Sequence, residues 1–178
     1  MVNLKRGRPT PFDHFMNRAK VVAERSTCGR REIGAVIIKD GVEISSGHVG
    51  APRNAVHCID IGRCLRTELK VPSGERYELC RSVHAEQNAL LNAGRMGISV
   101  TNGEMYIWSK RIKGAYEQEK KGSKIYGPCM ICKKEIINVG LKAVYMREEG
   151  VGDVSYSIEE IKSLLIKEEE EIRKSFRP

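Results

Sequence analysis

The 178-residue sequence predicts a chain of alternating α and β elements, and three observations predict it. A β-branched run interrupted by a turn dipeptide gives a hairpin near the N-terminus. Helix-like and strand-like patterns alternate from Val83 onward, and amphipathic helical patterns open and close the chain. The length suits a real hydrophobic core, so one domain over 1–178 is expected.

Apolar residues at helical spacing (Phe12, Phe15, Met16, Ala19, Val22, Ala23) predict a helix over Phe12 to Arg25, behind a basic arm at 1–11. Ile33 to Lys39 is apolar and β-branched, Asp40-Gly41 is a turn pair, and Val42 to Ser46 follows, so these strands are antiparallel neighbours. Residues 47–82 are rich in Gly, Pro, Arg and Cys without periodicity and read as an irregular excursion, long enough to need something to hold it. Beyond it, Val83 to Ala93 reads as a buried helix stopped by Gly94, and Glu104 to Trp108 as a strand. Cys129 to Val139 reads as a helix closed by Gly140, and Leu141 to Met146 as another strand. Ser157-Ile158-Glu159-Glu160 matches a capping box that opens a C-terminal helix over 157–174. Its apolar face (Ile158, Ile161, Leu164, Leu165, Ile172) should dock on the body, while its Lys/Glu face meets water.

The formal charge of +8 favours anionic partners, a nucleotide phosphate or a nucleic acid, or serves solubility alone, and charge by itself does not choose among these. No run of residues is apolar enough to cross a bilayer, which places the protein in the cytoplasm as an expectation, with no membrane partner. In that reducing compartment clustered cysteines point to metal ligation rather than to disulfides.

His84-Ala85-Glu86 stands at one predicted helix start, and Pro128-Cys129-Met130-Ile131-Cys132 opens another. Two cysteines three apart on a first turn present their sulfurs on one side, near the positive end of the helix dipole that favours thiolate. A histidine from the second helix start supplies a third ligand and leaves the fourth tetrahedral position for water, whose pKa zinc lowers toward neutrality. Glu86 is placed to shuttle protons rather than to ligate. Ala85 is small enough to let a flat base approach, and Pro128 suits a first helical turn. Each half alone is a modest signal; together, in this order, they match the signature of zinc-dependent base deaminases.

At these residues the sequence resembles the cytidine and deoxycytidylate deaminase superfamily, and more closely its deoxycytidylate (dCMP) branch. The similarity extends through Arg25-Ser26-Thr27-Cys28, Ile33-Gly34-Ala35-Val36-Ile37, Gly50-Ala51-Pro52-Arg53, His57-Cys58 and His84-Ala85-Glu86-Gln87-Asn88-Ala89-Leu90. The resemblance implies a three-layer α/β/α fold with a five-stranded mixed sheet, hydrolysis of dCMP to dUMP, and a homo-oligomer. It also implies a second, structural zinc for Cys28, Cys58, Cys64 and Cys80, with His57 as an alternative ligand; free thiols are the other reading of these residues.

Two departures bear on the substrate. Where the branch has Gly-Tyr-Asn-Gly, this chain has Gly47-His48-Val49-Gly50, and Val49 lacks an amide to hydrogen-bond a ligand. Residues 109–127 form an insertion rich in lysine, which reads either as a phosphate clamp or as a solvated basic loop. Arg53 and Lys110 are substrate-contact candidates on charge and position. Arg6-Gly7-Arg8-Pro9 resembles the core of an AT-hook, a short motif that arises easily by chance. Two other readings remain: a deaminase acting on another base or on RNA or DNA, and a zinc-stabilised binding module without turnover. Against them stand the lack of a separate nucleic-acid-binding domain and the presence of Glu86, which a structural site would not need.

Overall fold

The computed structural model describes residues 7–72, 75–112 and 127–175. Helix α1 spans Pro11–Ala23; Thr10 caps it by accepting from the Asp13 N–H at 3.1 Å, and Pro11 sits in the first turn where a missing N–H costs nothing. Strands β1 (Arg31–Lys39) and β2 (Val42–His48) form the expected hairpin. Asp40 and Gly41 both have positive φ, the geometry that lets a two-residue turn follow the strand twist.

Strand β1 also pairs antiparallel with β3 (Glu104–Arg111), β3 pairs parallel with β4 (Ala143–Glu148), and β4 pairs antiparallel with β5 (Gly152–Ser157). The result is a five-stranded mixed sheet in the order β2-β1-β3-β4-β5. Even-numbered residues of β1 and β3 (Val36, Ile38, Tyr106, Trp108) pack under α1, and odd-numbered ones (Ala35, Ile37, Met105, Ile107) pack under α4 (Ala85–Arg95) and α5 (Met130–Asn138). The three-layer α/β/α expectation therefore holds, with chain period two sorting side chains between the two helical layers.

Two glycines set how closely those layers approach. A Cβ on Gly34 would lie 2.2 Å from the Ala19 carbonyl oxygen of α1, and one on Gly47 would lie 2.3 Å from the Ala89 nitrogen of α4. Each helix thus rests directly on strand backbone. Three side-chain bonds stitch α4 to edge strand β2: Asn88 donates to the His48 carbonyl at 2.7 Å, Asn92 to that of Ser46 at 2.8 Å, and Ser45 donates to the Ala89 carbonyl at 2.6 Å.

Several expectations change in detail. Helix α4 runs through Gly94 to Arg95, and Gly97, at φ 67°, follows its end. Strand β3 continues past Trp108 to Arg111, so the segment read as the start of an insertion is sheet. Pro128 lies before the Cys129 cap of α5, not inside the first turn. Strand β5 had no counterpart in the sequence reading; its alternation of Val154 and Tyr156 with Asp153 and Ser155 is short and half exposed. Helix α6 (Ile158–Ser175) starts as expected, with Ser157 N–H donating to Glu160 at 2.7 Å. Ile161 is buried, but Ile172 is 44% exposed, so only the first half of the predicted apolar face is covered.

The excursion contains two single-turn helices, α2 (Cys58–Ile61) and α3 (Leu65–Glu68), and a 3₁₀ turn at Tyr77–Leu79. Gly50 and Val83 close its base by exchanging N–H···O bonds of 3.2 and 2.8 Å. Most of the basic insertion and Arg6 of the AT-hook-like stretch lie outside the described residues. Among the described residues no helix is long and apolar enough to cross a membrane.

Candidate metal centre

The two helix starts meet on the face opposite α1. His84 is the N-cap of α4 and Cys129 the N-cap of α5, both in extended backbone (φ −70°, ψ 156° and φ −63°, ψ 165°), and His84 forms a capping box with Gln87 that ties its side chain to the first turn of α4. Cys132 follows one turn into α5 and is fully buried. The sulfurs of Cys129 and Cys132 lie 3.3 and 3.4 Å from Nδ1 of His84. These three ligand atoms fall within 4.8 Å of one another, and among the described residues no other His, Cys or acidic group does so.

A polar bridge behind the site fixes the spacing of the helices. Gln87 accepts the His84 main-chain N–H at 3.1 Å and donates its amide to Glu135 of α5 at 2.8 Å. The sequence reading missed this bridge. Gln87 and Glu135 each sit three residues into a helix from a ligand, which was the available signal.

Electrostatics sharpen the picture. The two thiols are coupled: the neighbouring Cys132 and then His84 draw the Cys129 thiol below its ordinary range, while Cys129 and burial push Cys132 up. Burial pulls His84 down, but the hydrogen bond with Cys129 and the charge of Glu86 outweigh it and leave the imidazole above its ordinary value. Burial pushes the Glu86 carboxyl up, against the pull of His84, and its side chain is only 6% exposed. One nitrogen and two sulfurs, converging at two helix N-termini, are the donor set that zinc takes in tetrahedral sites, and three protein ligands leave one position open. The residues present fit a zinc ion. The open side gives onto a cavity lined by His84, Glu86, Cys129 and Ile107.

The other sequence candidates fall elsewhere. Ala85 is fully buried in the core, with its carbonyl oxygen close to Gly47 of β2. Arg53 donates to Asn92 at 2.9 Å, about 12 Å along α4 from His84. Lys110 pairs with Glu149 at 3.6 Å and Glu32 at 3.9 Å. Neither cation reaches the cavity, whose basic rim is formed by Arg30, Arg31, Arg63 and Arg81. Val49 is buried and lines the cavity, its N–H donating to the Ile33 carbonyl at 2.9 Å.

The four remaining cysteines, all free, gather around the excursion without closing to 4.8 Å. Burial pushes the Cys58 thiol up, against a hydrogen bond with Ser82, and the charges of Cys28, Cys80 and Cys64 add to the rise. His57 Nδ1 is buried and has no hydrogen-bond partner among the described residues.

Comparison with known proteins agrees with this geometry. The chain is 31% identical over 144 residues to the deoxycytidylate deaminase of Schizosaccharomyces pombe, covering 81% of this chain and 39% of that protein. It is 32% identical over 136 residues to ComE operon protein 2 of Bacillus subtilis, covering 76% and 58%. The chain thus spans roughly half the length of these curated relatives. The crystal structure of the dCMP deaminase from cyanophage S-TIM5, in complex with dCMP and dUMP, matches with a TM-score of 0.56 at 23% identity, over 91% of this chain and 94% of that one, and so shares the fold. The family model for the cytidine and deoxycytidylate deaminase zinc-binding region matches residues 10–148, and the chain belongs to that family.

Proposed function

We propose that the chain hydrolyses the exocyclic amine of a cytosine nucleotide, converting dCMP to dUMP and ammonia. The observation that carries this reading is the buried Glu86 beside three converging ligand atoms at the head of one cavity. The naming of the Schizosaccharomyces pombe relative as a deoxycytidylate deaminase supports the choice of substrate. His84, Cys129 and Cys132 would hold the zinc, which supplies the Lewis acidity that makes water a nucleophile near neutral pH.

Glu86 does the proton work. Its burial favours the protonated form, which brings a carboxyl closer to the proton affinity useful at neutral pH. It takes one proton from the attacking water and gives it to ring N3 while the water oxygen bonds C4. It then carries the second proton to the amine as the C4–N bond breaks, so that water and cytosine leave as uracil and ammonia. Arg30, Arg31 and Arg81 among the cavity's lining residues supply positive charge suited to a phosphate, while Arg63, also in the lining, pairs with Glu68 at 3.6 Å.

Finer assignments extend this reading. Cys28, Cys58, Cys64 and Cys80, with His57 as an alternative, hold a second, structural zinc that orders the excursion, supported by the mutual influence of these thiols and by the orphaned His57 nitrogen. Exposed Leu91 on α4, Met96 just past its end and Ile131 on α5 support self-association into a homo-oligomer, and nucleotide chemistry suits the cytoplasm.

Ammonia release from dCMP, CMP, dCTP, deoxycytidine and a cytosine-containing oligonucleotide tests the proposal. Turnover of dCMP but not deoxycytidine is expected; activity on the oligonucleotide alone would contradict it. Metal analysis should find two zinc ions per chain, falling to one in Cys58→Ser, and one in the parent would remove the structural site.

A further inference from the structure

The family signature begins at His84, yet the ring of His84 is also packed by a residue that precedes the signature. The His84 ring contacts the Cys129 and Cys132 sulfurs through Nδ1 and accepts from the Gln87 main-chain N–H, and packing against a neighbouring side chain adds a further restraint on its plane. That packing comes from Tyr77, whose ring meets His84 edge-on at 5.0 Å and 82°.

Tyr77 is itself clamped. The guanidinium of Arg66 lies 4.8 Å over its ring, and Arg66 is only 6% exposed. Arg66 donates from Nη2 to the carbonyls of Pro72 at 2.9 Å and Glu75 at 2.6 Å, which fixes the planar group across the segment that leads into Tyr77. Arg76, immediately before the tyrosine, adopts left-handed backbone (φ 49°, ψ 47°), which is unfavourable for a residue with a Cβ and persists only where its surroundings impose it. A buried cation, a desolvated cation–π contact and local backbone strain therefore converge on one aromatic ring, and that ring touches one metal-ligand side chain. Tyr77 also lines the same cavity as Glu86.

We propose that Tyr77, clamped by Arg66, is a positioning residue that sets the plane of the His84 imidazole, so that the cysteine-rich excursion and α4 together determine the metal-ligand geometry. This rests on His84 being a zinc ligand. Tyr77 acts through its ring edge, not its hydroxyl. Its loss removes one restraint on the ring plane and leaves only the contacts at Nδ1 and the Gln87 N–H to orient it; groups in the shell around metal ligands contribute about 10–100-fold in metal affinity.

The test uses the full chain, loaded with zinc for chelator competition and with cobalt(II) for its ligand-field and thiolate charge-transfer spectrum. Tyr77→Leu should weaken zinc retention about tenfold and change the cobalt ligand-field bands. Tyr77→Phe, which keeps the ring, should match the parent in both. Unchanged competition and spectrum in Tyr77→Leu would overturn the clamp, and loss in Tyr77→Phe equal to that in Tyr77→Leu would overturn the ring-edge assignment. Should Tyr77→Leu fail to fold, Arg66→Lys, which keeps the charge but not the planar fork, carries the same expectation and the same contrary result. Failure of the underlying reading is separate: the parent protein would then bind no metal, or Cys129→Ser would leave its metal content intact.

Discussion

Against one face of the sheet α1 lays Phe12, Phe15 and Met16 over Tyr106, Tyr145 and Trp108, whereas on the other α4 and α5 bring Ala85, Ala89, Ala93, Cys132 and Ile136. The first is an aromatic seal, with Tyr106 and Tyr145 stacked at 4.7 Å and Phe15 tilted 5.3 Å from Tyr106. It buries large aromatic side chains. The second uses the small residues Ala85, Ala89 and Ala93 on the flank of α4, so that the helix lies close to the sheet and its start comes together with that of α5. It is also where buried Glu86, Lys133 and Glu148 collect. Aromatic bulk fills one side; on the other, two helix starts build a site, at the cost of desolvated charge.

Predictions follow that contrast from large effects to small. Glu86→Gln removes the proton shuttle and should lower turnover by about 10²–10⁴-fold with zinc content unchanged; zinc loss in that variant would make Glu86 a structural group. The glycine pair breaks the comparison more selectively. Gly34→Ala and Gly47→Ala each force a Cβ into helix backbone and should cost about 1–3 kcal/mol in thermal unfolding. Only Gly47→Ala, which displaces α4, should also weaken zinc binding, and equal zinc loss in both would show that the two faces are mechanically one. Gln87→Leu, which cuts the bridge to Glu135, should destabilise the protein by about 1 kcal/mol and loosen zinc, read in the same chelator competition.

The smallest effect concerns acid. Arg147 makes a forked contact with Asp153 at 2.6 and 2.8 Å and reaches Asp13 of α1 at 3.1 Å, and these contacts hold the Asp153 carboxyl below the usual range. A depressed carboxylate contributes stability above its unfolded pKa, near 4, and loses it as pH falls through the folded value. Chemical denaturation from pH 6 to pH 2 should therefore show a shallower loss in Arg147→Met than in the parent; parallel curves would mean the cluster is electrostatically idle.

How much of this was legible in the sequence depended on the range of the interactions. The ligands and Glu86 could be read because each helix start carries its own short code, two residues apart in one and three in the other. The α6 capping box was readable for the same reason. Arg66, Tyr77 and the arginine rim could not be read, because an aperiodic segment places them by contacts between residues far apart in the chain. Arg53 and Lys110 were chosen on charge and nearness to motifs, and both are taken by other partners, Asn92 and the Glu32–Glu149 pair. Gly94 looked like a stop because glycine often ends helices, but α4 lies against β2 through Asn92 and continues past it.

The most direct test of the central claim is zinc content and dCMP turnover measured together in the parent protein and in Cys129→Ser. Loss of the catalytic zinc and of turnover in step, with the fold intact by circular dichroism, is the predicted result. Full metal content in the variant, or turnover of dCMP by metal-free protein, would contradict a metal centre built from the two helix starts.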